Sequence, residues 1–134
     1  MATYTEPGRD YAFLLCEGPG TLSREKVTLL QDATNAQPVV AGTVLGMITA
    51  SGKYTPYDDA AAGLVGVGAT VAAGILAQTV DPAAIAAGDV TVQIIKRFAE
   101  VKSAELTWHT LADATAKAAA LTALAGTNMI LIRS

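Results

Sequence analysis

Ala41-Gly42-Thr43-Val44-Leu45-Gly46 decides the fold class of this chain. A glycine, free to take φ > 0 or to let another backbone approach, is followed at once by β-branched and aliphatic residues. That is a tight turn feeding a buried strand. The cadence returns as Ala73-Gly74-Ile75-Leu76-Ala77, and near the end as Ala125-Gly126-Thr127-Asn128-Met129-Ile130-Leu131-Ile132. Between these two lies the longest strand signal, Asp89 to Phe98. There Val90, Val92 and Ile94 alternate with Thr91, Gln93 and Ile95, giving one apolar and one mixed face. The bursts are irregularly spaced, so they are not units of a solenoid. The pattern predicts a small, mainly β domain.

Working outward, Tyr11 to Cys16 is an apolar run of strand length, broken by Glu17-Gly18-Pro19-Gly20. Residues Glu25 to Leu29 alternate as on a half-exposed strand. Asp32 to Pro38 reads as a polar loop. Val39 to Ala50 is predicted as a strand kinked at Gly42 and Gly46. Ser51-Gly52-Lys53 forms a hairpin tip, and Tyr54 to Tyr57 an edge segment that Pro56 keeps out of a sheet centre. Ala60 to Gly68 reads as irregular, and Pro82 to Ala87 as a short helical turn. One clear helix is predicted over Thr110 to Leu124. Thr110 and Asp113 resemble a capping box, Ala114, Ala118, Leu121 and Ala125 form the stripe with Leu124 beside them, and Gly126 is the C-cap. Asn128 to Ile132 is the closing strand. Before Tyr11, Met1 to Asp10 is polar and turn-rich, with Pro7-Gly8 inside it, and is expected to be a flexible arm.

The composition narrows the function. One domain is expected from 134 residues, and that length buries a core without disulfide or metal. Alanine is about a fifth of the chain, well above ordinary usage, so burial energy falls to Val, Ile and Leu. A net charge of −3 with few aromatics argues against binding nucleic acid directly. Cys16 is the single cysteine, read as a small apolar strand residue rather than a reactive thiol. The N-terminus lacks the features of a signal peptide. Ala60 to Ala77 approaches the length of a membrane span, but four glycines interrupt it and no Lys or Arg flanks it. A buried stretch within a β domain is preferred, and no membrane association is expected.

Chemistry is sparse. His109 is the only histidine, too little for a metal cluster or a nucleophile–base pair. Gly66-Val67-Gly68 lacks a third glycine at dinucleotide spacing, since position 71 is Val71. Asp58 and Asp59 are adjacent and read as a solvated loop rather than a carboxylate pair. Lys53 at a hairpin tip resembles the attachment lysine of carrier domains, but no acidic or methionine neighbour flanks it. Ser23-Arg24-Glu25 sets a hydroxyl, a cation and an anion in a row. It reads as a surface charge cluster, or more sharply as a docking contact in which Arg24 offers a planar fork. No catalytic residue, cofactor or metal is expected.

The order of pieces carries more than any one of them. Arg9, Phe13-Leu14, Leu22-Ser23-Arg24-Glu25, Val27-Thr28, Ala41 to Gly46, Tyr54, Tyr57-Asp58, Ala73 to Leu76, Leu106-Thr107-Trp108, a helix, and Ala125 to Ile130 follow one another. In this order the chain resembles the head decoration (capsid-stabilising) proteins of lambda-like tailed phages, from about Arg9 to Ile132. The resemblance implies a β-clip or β-tulip-like domain with one packed helix and no enzymatic activity. It implies a homotrimer on the outer surface of the expanded head, at three-fold and quasi-three-fold positions, made in the host cytoplasm and bound to the major capsid protein. It also implies an N-terminal arm that adds a strand to capsid strands. On this reading residues 1–16 are the arm and 17–134 the decoration domain. The expected capsid-binding residues are Thr3, Tyr4, Thr5, Arg9, Tyr11, Ser23, Arg24 and Glu25. The longer N-terminal half, with its Ser23-Arg24-Glu25 stretch, departs from the shortest members of the family.

Two other readings compete. A small β-barrel module binding a ligand, or acting as a carrier, would need a concave pocket with convergent polar groups. A small enzyme subunit completing its site at an oligomer interface would rest on His109 alone.

Overall fold

The fold was obtained as a computed structural model, and it describes residues 11–31, 39–57, 71–108 and 113–134. The strands are β1 (Leu14–Glu17), β2 (Arg24–Leu29), β3 (Val44–Met47), β4 (Tyr54–Pro56), β5 (Ala72–Leu76), β6 (Val90–Ile95), β7 (Ala99–Lys102) and β8 (Leu131–Arg133). The helices are α1 (Pro82–Ala87) and α2 (Ala114–Gly126), with a 3-10 turn at Ser103–Glu105. The described residues are therefore mainly β with one substantial helix, as the sequence predicts.

Five strands close into a barrel in the order β2-β4-β3-β5-β6, and β1-β7-β8 form a separate sheet. The longest ladder is β2 against β6, antiparallel from Arg24↔Ile95 to Leu29↔Val90. The first two aliphatic bursts and the Asp89–Phe98 run mark strands that are covered on both faces. Leu45, Leu76 and Ile94 are fully buried among the residues filling the barrel, with Leu29, Tyr54, Val80, Ile85 and Val92. Their chain neighbours Val44, Ile75 and Ile95 point the other way. They are buried with Phe13, Val101, Leu124 and Ile130 between the barrel wall, the three-stranded sheet and α2. A one-sided strand would alternate apolar and polar residues; a wall shared by two cores needs consecutive apolar ones. Each fully buried side chain of this size contributes about 1.5–3 kcal/mol.

Two glycines are required by geometry. Gly42 has φ +89°, and a Cβ there would lie 3.2 Å from both the Glu105 carbonyl and Phe13 Cδ1. At Gly74 a Cβ would meet Ile94 Cδ1 at 2.7 Å. The Ser51-Gly52-Lys53 tip is a turn as expected, with Gly52 N–H donating to Ile48 O and Ile48 N–H to Lys53 O, both at 2.8 Å.

Several expectations are corrected. The Tyr54–Tyr57 segment is not a sheet edge, because β4 is a barrel strand between β2 and β3. Pro56 is accommodated because it pairs with Leu45, while the neighbouring bond runs from Tyr57 N–H to Val44 O at 2.9 Å. Antiparallel bonds alternate, so the Pro56 nitrogen faces away from β3, and on that side β2 pairs only with Tyr54. The strand expected over Val39 to Ala50 is confined to β3, with Val39 contributing an isolated bridge to Val80. In α2 the N-cap is Asp113, whose carboxylate accepts from Ala116 N–H at 2.8 Å. The buried stripe is Ala116, Ala120 and Leu124, while Ala114, Ala118 and Ala125 are exposed. Gly126 is the last helical residue rather than the cap, and the left-handed residue beyond the helix is Met129, φ +52°. Thr110, His109, Asp58, Asp59 and the Ala60–Gly68 and Asp32–Pro38 stretches lie outside the described residues.

Candidate functional site

The start of β2 gathers the Ser23-Arg24-Glu25 stretch, the end of β1 and the corner between β6 and β7. Ser23 is fully buried. Its hydroxyl donates to Phe98 O at 2.8 Å and accepts from Gly18 N–H at 2.6 Å. Its carbonyl accepts from Lys96 N–H at 2.8 Å. It therefore pins the turn after β1 to the β6–β7 corner, beneath the surface.

Arg24 lies directly above. Its Nε and Nη2 donate to the two oxygens of Glu17, each at 2.8 Å, and Nη1 donates to Gln93 Oε1 at 3.1 Å. A bidentate carboxylate fork fixes the guanidinium plane. Arg24 Cζ lies over the Tyr11 ring, 5.2 Å from its centroid, and Nη1 also donates to the Tyr11 hydroxyl at 3.4 Å. Gln78 Nε2 donates to the same hydroxyl at 3.5 Å. Tyr11 remains 40% exposed. Glu25 accepts from Lys96 Nζ at 3.1 Å and from Arg97 Nη2. Arg97 also donates from Nη1 to Leu22 O at 3.0 Å.

The charges respond to this packing. The hydrogen bonds from Arg24 hold the Glu17 carboxyl below the usual carboxylate range, against a smaller desolvation effect. In return Glu17, and then Tyr11, hold the Arg24 guanidinium more firmly protonated. Lys96, with Arg97 adding to it, lowers Glu25 in the same way. Glu17 and Glu25 are thus carboxylates held ionised by the cations packed against them.

Of the expected capsid-binding residues, Tyr11, Ser23, Arg24 and Glu25 are brought together here, with Ser23 as their buried support. Thr3, Tyr4, Thr5 and Arg9 lie outside the described residues. Phe13 is buried and β1 begins at Leu14, so the chain from Phe13 onward belongs to the folded body. Cys16 sits in β1 as expected and is exposed. The register shifts between Leu14 and Cys16, opposite Val101 and Glu100, leaving Leu15 as an extra residue, 53% exposed. Cys16, Glu100 and Leu131 align across the sheet on the face opposite Val101. Lys53 is held by Asp89 at 2.6 Å, a partner distant in sequence.

A concavity of about 390 Å³ elsewhere on the domain is lined by Met47, Tyr54, Val71, Lys96 and Asn128, among others. Asn128 donates to Ala73 O at 3.1 Å and to Lys96 O at 2.9 Å, which fixes its amide orientation. Its Oδ1 and the Tyr54 hydroxyl are buried without a hydrogen-bond partner. Sequence reasoning missed both, as it missed Glu17, Gln78 and Gln93 around Arg24. Only the Glu17/Arg24 spacing across a tight Gly18-Pro19-Gly20 turn could have suggested one of these pairs. Among the described residues, no group of three or more His, Cys, Asp or Glu side chains could hold a metal ion. No helix among them is long and apolar enough to cross a membrane.

No curated protein matches the sequence. Residues 3–129, however, match the family described as Bacteriophage lambda head decoration protein D. That span holds every element except β8, including the barrel, α2 and the Tyr11–Arg24 cluster. The chain therefore belongs to the bacteriophage lambda head decoration protein family, structural proteins of the outer face of the phage head.

Proposed function

We propose that this chain is a cement protein, which binds the expanded phage head from outside as a homotrimer at three-fold and quasi-three-fold positions. The observation that carries this reading is the family match, which covers nearly the whole chain. The partner is the major capsid protein, and the residues before Tyr11, with Thr3, Tyr4 and Thr5 as strand-competent positions and Arg9 as a cation, supply the arm that docks on it. A trimer engages several capsid subunits at once, so its second and third contacts are effectively intramolecular. Binding to the expanded shell and not to its precursor stabilises the expanded form by mass action and opposes the outward pressure of packaged DNA.

The test mixes purified protein with expanded heads lacking it and with unexpanded precursors, followed by co-sedimentation. Sedimentation velocity of the free protein gives its oligomeric state. Saturable binding to expanded heads alone, and higher resistance of those heads to heat, is the expected result. Equal binding to both shells overturns the maturation-selective part, and no binding to either overturns the whole. The competing ligand-binding barrel has the Tyr54/Asn128 concavity on its side. It would be favoured by melting shifts with small molecules in a protein that ignores heads.

A further inference from the structure

We infer that Tyr11 and Arg24 form a clasp that sets the direction in which the N-terminal residues leave the domain, Arg24 acting as a positioning residue rather than as a capsid contact. The inference rests on the reading that those residues engage the capsid.

Two fixed points define a line, and one defines only a cone. Phe13 is the first fixed point, buried between barrel and sheet, with its carbonyl accepting from Lys102 N–H at 2.8 Å. Tyr11 is the second. Its carbonyl accepts from Leu14 N–H at 3.1 Å, and its ring lies against Arg24. The exposed Ala12 is all that separates them. Remove the Tyr11 contact and the chain pivots on Phe13.

Arg24 is built to receive an aromatic ring rather than an external carboxylate. Glu17 occupies Nε and Nη2, and Gln93 shares Nη1 with the Tyr11 hydroxyl, so the fork is engaged from within the chain. Tyr11 adds its ring, over which Arg24 Cζ lies 5.2 Å from the centroid. Two elements reach this side chain: β2 through Arg24, which Gln93 of β6 steadies, and the segment after β5 through Gln78, which donates to the Tyr11 hydroxyl. The arm root is thereby tied to the barrel, although β1 itself belongs to the other sheet.

The experiment measures binding to expanded heads for full-length wild type, Tyr11→Ala, Tyr11→Phe, Arg24→Gln and an arm-blocked Thr3→Pro/Thr5→Pro protein, with the melting temperature of each. Tyr11→Ala and Arg24→Gln should each weaken binding about two- to five-fold per engaged copy, the range of an exposed cation–π contact; Tyr11→Ala should melt within about 2 °C of wild type, whereas Arg24→Gln, which also loses the Glu17 ion pair, should melt lower. Tyr11→Phe keeps the ring but loses the hydroxyl bonds to Arg24 and Gln78, and should bind between wild type and Tyr11→Ala. Adding Arg24→Gln to the arm-blocked protein should produce no further loss. A further loss of the same size would make Arg24 a direct contact and overturn the clasp. So would wild-type binding by Tyr11→Ala and Arg24→Gln, or Tyr11→Phe binding as weakly as Tyr11→Ala. If wild type binds no heads, or the arm-blocked protein binds as wild type, the underlying reading falls and the clasp with it.

Discussion

Replacing Ser23 by Ala deletes one buried oxygen and nothing else, so its cost can be worked from the geometry. The backbone bond from Lys96 N–H to Ser23 O survives. Two side-chain bonds disappear, one to Phe98 O and one from Gly18 N–H. Neither partner is orphaned, because Gly18 N–H also donates to Phe98 O at 3.1 Å. The full penalty for unsatisfied buried groups therefore does not apply, and two net hydrogen bonds at about 0.5–1.5 kcal/mol each, partly compensated by the surviving one, give about 1–2 kcal/mol. For a domain of this size that corresponds to a melting point lower by about 3–10 °C. Thermal melts at fixed protein concentration, with far-UV and near-UV signals compared, provide the assay. Amide exchange at Gly18 should quicken yet stay protected. A melting point unchanged within 1 °C would refute a bridging role for the hydroxyl. A loss well above 4 kcal/mol would show that the Gly18–Phe98 bond does not survive alone.

Three further outcomes follow from packing and charge. Ala120→Leu, on the buried stripe of α2, should destabilise by about 1–3 kcal/mol in chemical denaturation, whereas Ala118→Leu on the exposed side should stay within about 0.5 kcal/mol; equal effects would refute the assigned face. Gly42→Ala meets both a left-handed backbone and a 3.2 Å contact and should cost at least about 1 kcal/mol, while Gly88→Ala, with nothing within 4 Å, should be nearly silent by the same measurement. Glu17 has a folded pKa below its unfolded value, so its stabilisation is complete above the ordinary carboxylate range and is lost as pH falls through the folded value. Urea midpoints of wild type and Arg24→Gln should therefore converge as pH falls from about 5 through the lowered folded value of Glu17, and a gap that stays constant would refute the coupling.

The sequence made legible what is local and doubly buried. Val44-Leu45, Ile75-Leu76 and Ile94-Ile95 announce strands because consecutive aliphatics suit a wall covered on both sides. The helix was visible too, but not its face. Alanine is content on either side, so Ala118 and Ala120 carry no signal of which is buried. Asp113 was noticed as the second member of a capping box and is itself the cap. Pro56 misled because a proline bars only the bond its own nitrogen would make, and that side of β4 has no ladder to interrupt. At the candidate site, Arg24 stood out by type alone. Its role depended on Gln93 and Gln78, more than fifty residues away, and Ser23 was read as a surface hydroxyl because its acceptor, Phe98 O, arrives only through the β2–β6 ladder.

The three-stranded sheet has a topological consequence. Leu14, where β1 begins, and Ile132, near the end of β8, both pair with Val101, from opposite sides. The folded path thus returns to its own starting point, two strand spacings or about 10 Å away. A linker of a few residues would join the two ends and turn the chain into a near-seamless ring. The exposed tip at Ser51-Gly52-Lys53 then offers a natural place to open it, yielding a circular permutant with every described strand pairing kept. Such a permutant, made without residues 1–10, would isolate what the barrel and sheet contribute to head binding by themselves.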